Sequence, residues 1–280
     1  MIKPVFNITG SAIDGDTCGQ SILLMEVNET SFSYVILGPD SKLLVAAYYV
    51  LTHAEGRNLT EAIRQIVDGQ DILQQEFRQA IVVYNFSETT LVPAKWYHHE
   101  VNRDLIELLF GNLKKGLVLS EQVNAFELHT IYRIPAAVHS LLQQKFSAGK
   151  YWHVYTLWLQ TLQKLDSQEA ERIHLVFAAD KVLVAVFKNQ QLQLLQSFAY
   201  TTPEDVVYHL LHCCQQLSLS QEDCILRIGG YIDEDSALFN EIKKYFLKIE
   251  FDKVEGADEV SPAEYPAHYF SYLQKLALCV

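Results

Sequence analysis

Paired cysteines, a basic face, a long apolar run and low-complexity tracts are all missing from this 280-residue chain, and each gap removes a class of function. Cys18, Cys213, Cys214, Cys224 and Cys279 form an odd set without a C-x-x-C pair, so neither a disulfide framework nor a zinc cage is expected. No stretch approaches the ~18 apolar residues that a membrane-spanning helix needs, and the opening Met1 to Asn7 carries no apolar core of a secretory leader. Membrane insertion is therefore not expected, and the expected location is the cytoplasm. Basic residues number 22 against 34 acidic ones, and the formal charge of −12 repels nucleic-acid phosphates and anionic lipid heads. Lys114-Lys115 and Lys243-Lys244 are isolated pairs that read as solvated positions, so no nucleic-acid partner is expected.

What remains is an ordinary globular composition, 49% hydrophobic and 20% charged, on a chain long enough to bury a large core. Ile22 to Val27, Phe32 to Leu37 and Leu43 to Leu51 read as three strands separated by turn residues Asn28-Glu29-Thr30-Ser31 and Gly38-Pro39-Asp40-Ser41. Asn58 with Glu61 makes a helix start, and Leu59, Ile63, Ile66 and Val67 repeat at helical spacing behind it. Ala80 to Tyr84 reads as a buried strand, and Val101, Leu105, Leu108 and Leu109 as the apolar stripe of a helix that closes a βββαβα set. Phe126 to Arg133 reads as a further strand, followed by helices from Pro135 and around Val154 to Leu165.

The same grammar returns roughly 150 residues later, as expected of a duplicated domain rather than a short-period solenoid. Ile173 to Ala178, Val182 to Phe187 and Leu192 to Tyr200 are strand-like, Thr202-Pro203-Glu204-Asp205 is a strong helix start, and Cys224 to Ile228 is a fourth strand. Ala237 to Phe246, Leu247 to Val254 and Tyr265 to Cys279 supply helix, strand and helix, with acidic Asp252 to Glu264 as the last linker. Polar Gln163 to Glu171 marks the boundary, which divides the chain into residues 1–166 and 167–280.

Two such halves resemble the actin, Hsp70 and sugar-kinase superfamily, with a ribonuclease-H-like core in each half. Tyr132-Arg133-Ile134-Pro135, Lys150 to Leu159, Ile228-Gly229-Gly230 and Pro266 to Cys279 are similar to an uncharacterised bacterial family assigned to that fold. The resemblance implies an α/β protein of actin-like ATPase fold, with mixed sheets, and a place for ATP with Mg²⁺. Superfamily members that hydrolyse ATP carry a glycine-containing loop between the first two strands of each half, with an Asp beside it. Glycine lets backbone amides approach phosphate, and the carboxylate organises the metal. Here the two turns read Glu26-Val27-Asn28-Glu29-Thr30-Ser31 and Ala178-Ala179-Asp180-Lys181, both without glycine. Ile228-Gly229-Gly230-Tyr231 stands where the superfamily passes its backbone close to adenosine.

Glu26, Asp180, Gly229 and Gly230 are thus the candidate ligand-binding residues, with no catalytic or metal-ligating residue singled out. The expected function is binding of a protein or ligand without hydrolysis, hence no required cofactor and a protein partner of unnamed identity. Two alternatives stand beside it: an ATPase or phosphotransferase with atypical phosphate loops, and a scaffold resembling the actin-like modules of secretion and pilus platforms. His209 with Cys213 at i, i+4 could offer two metal ligands, but a buried cysteine on an apolar helix face accounts for the pair more simply.

Overall fold

A computed structural model describes residues 2–9, 14–51, 58–164, 169–253 and 265–280. The expected boundary at 166/167 and most of the acidic linker lie outside these residues. The chain divides into two compact units, Met1–Leu165 with Leu276–Val280, and Asp166–Lys275.

In the first unit β1 (Phe6–Thr9) and the short α1 (Gly15–Gln20) precede a meander of β2 (Ile22–Val27), β3 (Ser31–Leu37) and β4 (Leu43–Val50). Then come α2 (Leu59–Gly69), β5 (Gln79–Tyr84), β6 (Thr89–Pro93), α3 (Asn102–Phe110), β7 (Leu117–Val123) and β8 (Leu128–Ile134). The unit's later elements are α4 (Ala136–Lys145), β9 (Lys150–His153) and α5 (Val154–Lys164). The main sheet has the order β1-β4-β3-β2-β5-β9, with β2, β5 and β9 parallel and the meander antiparallel. β3 is buried along its whole length, because a sheet covered on both faces wants continuous apolar strands rather than alternation. Phe32, Tyr34, Val82, Ile63 and Leu142 belong to one core cluster that joins the sheet to α2 and α4. At the start of α2 the Asn58 side chain accepts from the Glu61 amide at 2.8 Å.

The second unit holds β10 (Glu171–Phe177), β11 (Lys181–Lys188), β12 (Gln191–Ala199), α6 (Pro203–Leu217) and β13 (Ile225–Gly230). It continues with α7 (Ala237–Ile242), β14 (Lys248–Phe251) and α8 (His268–Ala277). Its sheet order is β12-β11-β10-β13-β14, with β10, β13 and β14 parallel. Strand for strand this matches β4-β3-β2-β5-β9, so both units carry the ribonuclease-H-like arrangement. A capping box between Thr202 and Asp205, with Pro203 in the first turn, starts α6, and its Val206, Leu210 and Cys214 enter this unit's own core.

One expectation is corrected. The helix read from Val101, Leu105, Leu108 and Leu109 exists as α3, but it does not close the first βββαβα set; α4 does. β6, α3, β7 and β8 form an excursion between β5 and α4, with the three strands making a separate sheet of order β6-β8-β7. The stripe also faces the other way. Ile106 and Asn102 are buried, whereas Leu108 is 81% and Leu109 51% exposed. A helix with two apolar flanks offers the sequence no way to tell which flank its own chain covers. β1, β6, β7 and β9, too short or too polar to stand out as runs, are further elements that the sequence pattern did not mark.

Candidate functional site

Glu26 lies near the carboxyl end of β2, half-buried, and accepts from the Asn85 side chain. The turn that follows it is the first place where the superfamily binds phosphate. Here the turn is closed on itself. The Asn28 side-chain oxygen accepts from the Thr30 amide at 2.8 Å, the Ser31 amide at 2.7 Å and the Thr30 hydroxyl at 3.2 Å. Its amide nitrogen donates to Ser31 Oγ at 2.7 Å, and the residue is only 2% exposed. Backbone donors that would grip a phosphate are therefore turned inward onto a fixed internal acceptor. Beyond the turn, Glu29 accepts from the Ser87 amide and hydroxyl, both at 2.7 Å, which ties the turn to the segment after β5.

In the second unit Asp180 sits exposed in the β10–β11 turn, where the Ala178 amide donates to the Lys181 carbonyl at 2.9 Å. Tyr200 backs this turn, its hydroxyl donating to the Ala178 carbonyl at 2.9 Å; burial, helped by the charge of Asp180, pushes the phenol up to about 12. Gly229 and Gly230 end β13 opposite Val176 and Phe177, the last two residues of β10, so they share the carboxyl edge of the second sheet with Asp180. Gly230 has φ +84°, and a Cβ there would stand 2.2 Å from the Phe177 carbonyl oxygen. That close backbone approach accounts for glycine at 230 without a ligand. Glu26 belongs to the other unit.

The site that sequence reasoning missed is a cavity of about 210 Å³ in the first unit. It opens beside the carboxyl ends of β2 and β5, where open α/β sheets characteristically hold ligands. Its apolar wall is Leu59, Phe86, Ile134 and Pro135. Leu59 is the first residue of α2 and Pro135 immediately precedes α4, so two helix N-termini meet here. Lys114, Lys115 and Arg133 supply positive charge, Glu29 and Glu88 negative charge. Both acids are engaged. Arg133, 6% exposed, bonds Glu88 through Nε and holds the Gly111 carbonyl through Nη2 at 2.9 Å, while Lys114 pairs with Glu88 at 3.7 Å. Lys115 has no ion-pair partner among the described residues. Gly116 lets this loop lie on the end of β8, since a Cβ would fall 2.3 Å from the Ile134 carbonyl oxygen. Lys114-Lys115 could be seen in the sequence, but not that Arg133 and Glu88 close the site beside them.

A buried polar network joins the small sheet to the main one. Tyr132 on β8 donates to Glu121 on β7, and Glu121 also receives the His153 amide at 2.8 and 3.1 Å. His153 Nε2 meets Thr89 Oγ1 at 2.9 Å, and Thr156 Oγ1 donates to Thr130 Oγ1 at 3.0 Å. Although part of the Glu121 residue is accessible, its carboxyl is turned inward, and burial pushes it up to about 7. Among the described residues no cluster of three or more His, Cys, Asp and Glu could hold a metal. The His209 ring instead lies on Phe198 at 4.5 Å, and Cys213 and Cys214 are buried with their thiols raised by desolvation.

Two units of this strand order, each bearing a turn where phosphate is held in the superfamily, define a protein of actin-like ATPase fold. A crystal structure from Bacteroides thetaiotaomicron VPI-5482, a protein with that fold and unknown function, superposes with a TM-score of 0.77 at 18% identity, covering 96% of this chain and 100% of that one. The chain belongs to the family described as "Protein of unknown function (DUF3822)", whose model matches residues 11–249. A PilM-PilN type IV pilus biogenesis complex contains a second similar chain, with a TM-score of 0.59, 13% identity and coverage of 92% of this chain and 97% of that one. The search of curated proteins finds no match. No described helix is long and apolar enough to cross a membrane.

Proposed function

We propose that this protein is a binding module that keeps the actin-like frame, takes a protein partner and does not hydrolyse ATP. The observation that carries the reading is Asn28, whose side chain occupies the amides of the first phosphate turn. For that turn to bind a triphosphate, the internal bonds would have to break and be replaced, a cost a preorganised phosphate loop does not meet. Gly230 supports the same reading, because the Phe177 backbone already explains it. The twice-used strand order is consistent with an ancestral duplication whose copies kept the scaffold and lost the phosphate chemistry. A module working through protein contacts is how the pilus complex named above bears on this chain, as fold analogy alone.

Thermal denaturation of the full chain with and without ATP and Mg²⁺ tests this. A ligand at 100 times its Kd stabilises by about 2.7 kcal/mol, worth roughly 5 °C or more for a chain of this size. No shift is expected at millimolar nucleotide, and no phosphate release. Turnover of ATP that survives purification and disappears with Asp180→Ala would overturn the proposal in favour of an ATPase with atypical loops.

A further inference from the structure

Resting on the binding-module reading, we infer that the cavity between α2, α4 and the Gly111–Gly116 loop is where the partner docks, and that the partner offers an acidic peptide segment carrying an apolar side chain. Charge is the first argument. On a protein of net charge −12, this cavity sets three cations, Lys114, Lys115 and Arg133, against two acids, a local excess of positive charge; Glu88 is paired with Arg133 and Lys114, and Glu29 is tied down by the Ser87 amide and hydroxyl. Lys115 is left to meet an incoming carboxylate. The N-termini of α2 and α4 add positive partial charge at the same wall.

Size and lining select the rest of the ligand. At about 210 Å³ the cavity is smaller than the ~300–1,000 Å³ common for small-molecule sites, and it suits one side chain rather than a nucleotide. Leu59, Phe86 and Ile134 give that side chain an apolar seat. The loop bearing the lysines is held at both ends: Arg133 grips the Gly111 carbonyl at 2.9 Å, and Gly116 lies against the Ile134 backbone. A pre-set loop loses little freedom on binding. It also presents Leu113, 96% exposed, directly before the lysines, a large apolar side chain left open beside a charged pair. Short acidic segments with one apolar anchor match this combination, whereas three cations are too few to track a nucleic-acid backbone.

The test pans a phage-displayed random dodecapeptide library on the full chain, then measures the enriched peptide, fluorescein-labelled, by anisotropy. Acidic sequences with Leu, Ile or Phe between the acids should dominate. Their affinity should fall about tenfold or more in Lys114→Glu/Lys115→Glu, and several-fold when salt rises from about 50 to about 300 mM. Leu59→Trp, which fills the cavity without changing charge, should weaken binding comparably, and Lys243→Glu/Lys244→Glu should not. Unchanged far-UV CD in each variant excludes misfolding. An empty selection, a basic or wholly polar consensus, or binding indifferent to both the lysine pair and Leu59→Trp overturns the assignment. These failures leave the non-hydrolysing reading standing if nucleotide still gives no thermal shift. Conversely, ATP turnover beside intact peptide binding removes that reading and spares the docking site. ATP that binds, and is lost in the same lysine variants, would give the cavity to nucleotide and overturn the peptide.

Discussion

Asn28 shows how one residue settles what a turn can do. Its carboxamide is buried; its oxygen accepts from the Thr30 and Ser31 amides and the Thr30 hydroxyl, and its nitrogen donates to the Ser31 hydroxyl. Asn28→Ala would strip those partners inside a closed turn, and a buried donor left unsatisfied costs about 1–3 kcal/mol. Urea melts should show that loss, with Asn28→Asp recovering part of it because a carboxylate keeps the acceptor. A turn that loosens at no cost in stability would mean the amides are free to serve a ligand after all. Gly230 makes the complementary point. Gly230→Ala places a side chain at φ +84° against the Phe177 backbone, so a penalty of about 1–3 kcal/mol is expected, read by the same melts, before any ligand is considered. Loss of binding in a Gly230 variant is therefore not evidence that Gly230 touches a ligand.

At the scale of elements, the two meanders were legible because apolar, β-branched and aromatic residues run unbroken through β2 to β4 and β10 to β11, strands buried on both faces. Start signals such as Thr202-Pro203 were equally plain, since capping is local chemistry. The excursion from β6 to β8 was not. β6 and β7 are half-exposed and alternate weakly, and what fastens their sheet is a set of polar contacts between Glu121, Tyr132, Thr89 and His153, residues far apart in the chain. The candidate site suffered the same fate. Asp180 and the glycine pair were found by their order along the chain and do share a sheet edge. The cavity, in contrast, depends on β6–β8 pairing to bring Arg133 to Glu88, and no periodicity encodes that register. Leu108 and Leu109 misled for a related reason: helical spacing reports an apolar face, and this one is exposed to solvent.

For the molecule as a whole, two buried ionisable groups in different units oppose each other as pH changes. Glu121 is raised to about 7, so the folded chain holds a proton that the unfolded chain releases. Its contribution is fully present below the ordinary carboxyl range near 4.5 and is lost as pH rises toward 7. His174, on β10, is pushed down to about 3 by burial and by Arg227, Arg172 and Lys275 around it. It is held neutral in the fold, so its contribution is present above pH 6.5 and is lost as pH falls toward 3. Between pH 4.5 and 6.5 the two slopes have opposite sign and nearly offset each other. Each alone amounts to a few kcal/mol across its window, on the order of 1.4 kcal/mol per pH unit. Glu121→Gln and His174→Gln separate them. Urea melts of the full chain at stepped pH should find the Glu121 variant gaining on its parent as pH rises from 4.5 to 7, and the His174 variant gaining as pH falls from 6.5. Comparing each with the parent cancels every other titrating group, so parallel curves for either variant would mean that its residue is not held in the buried protonation state argued here.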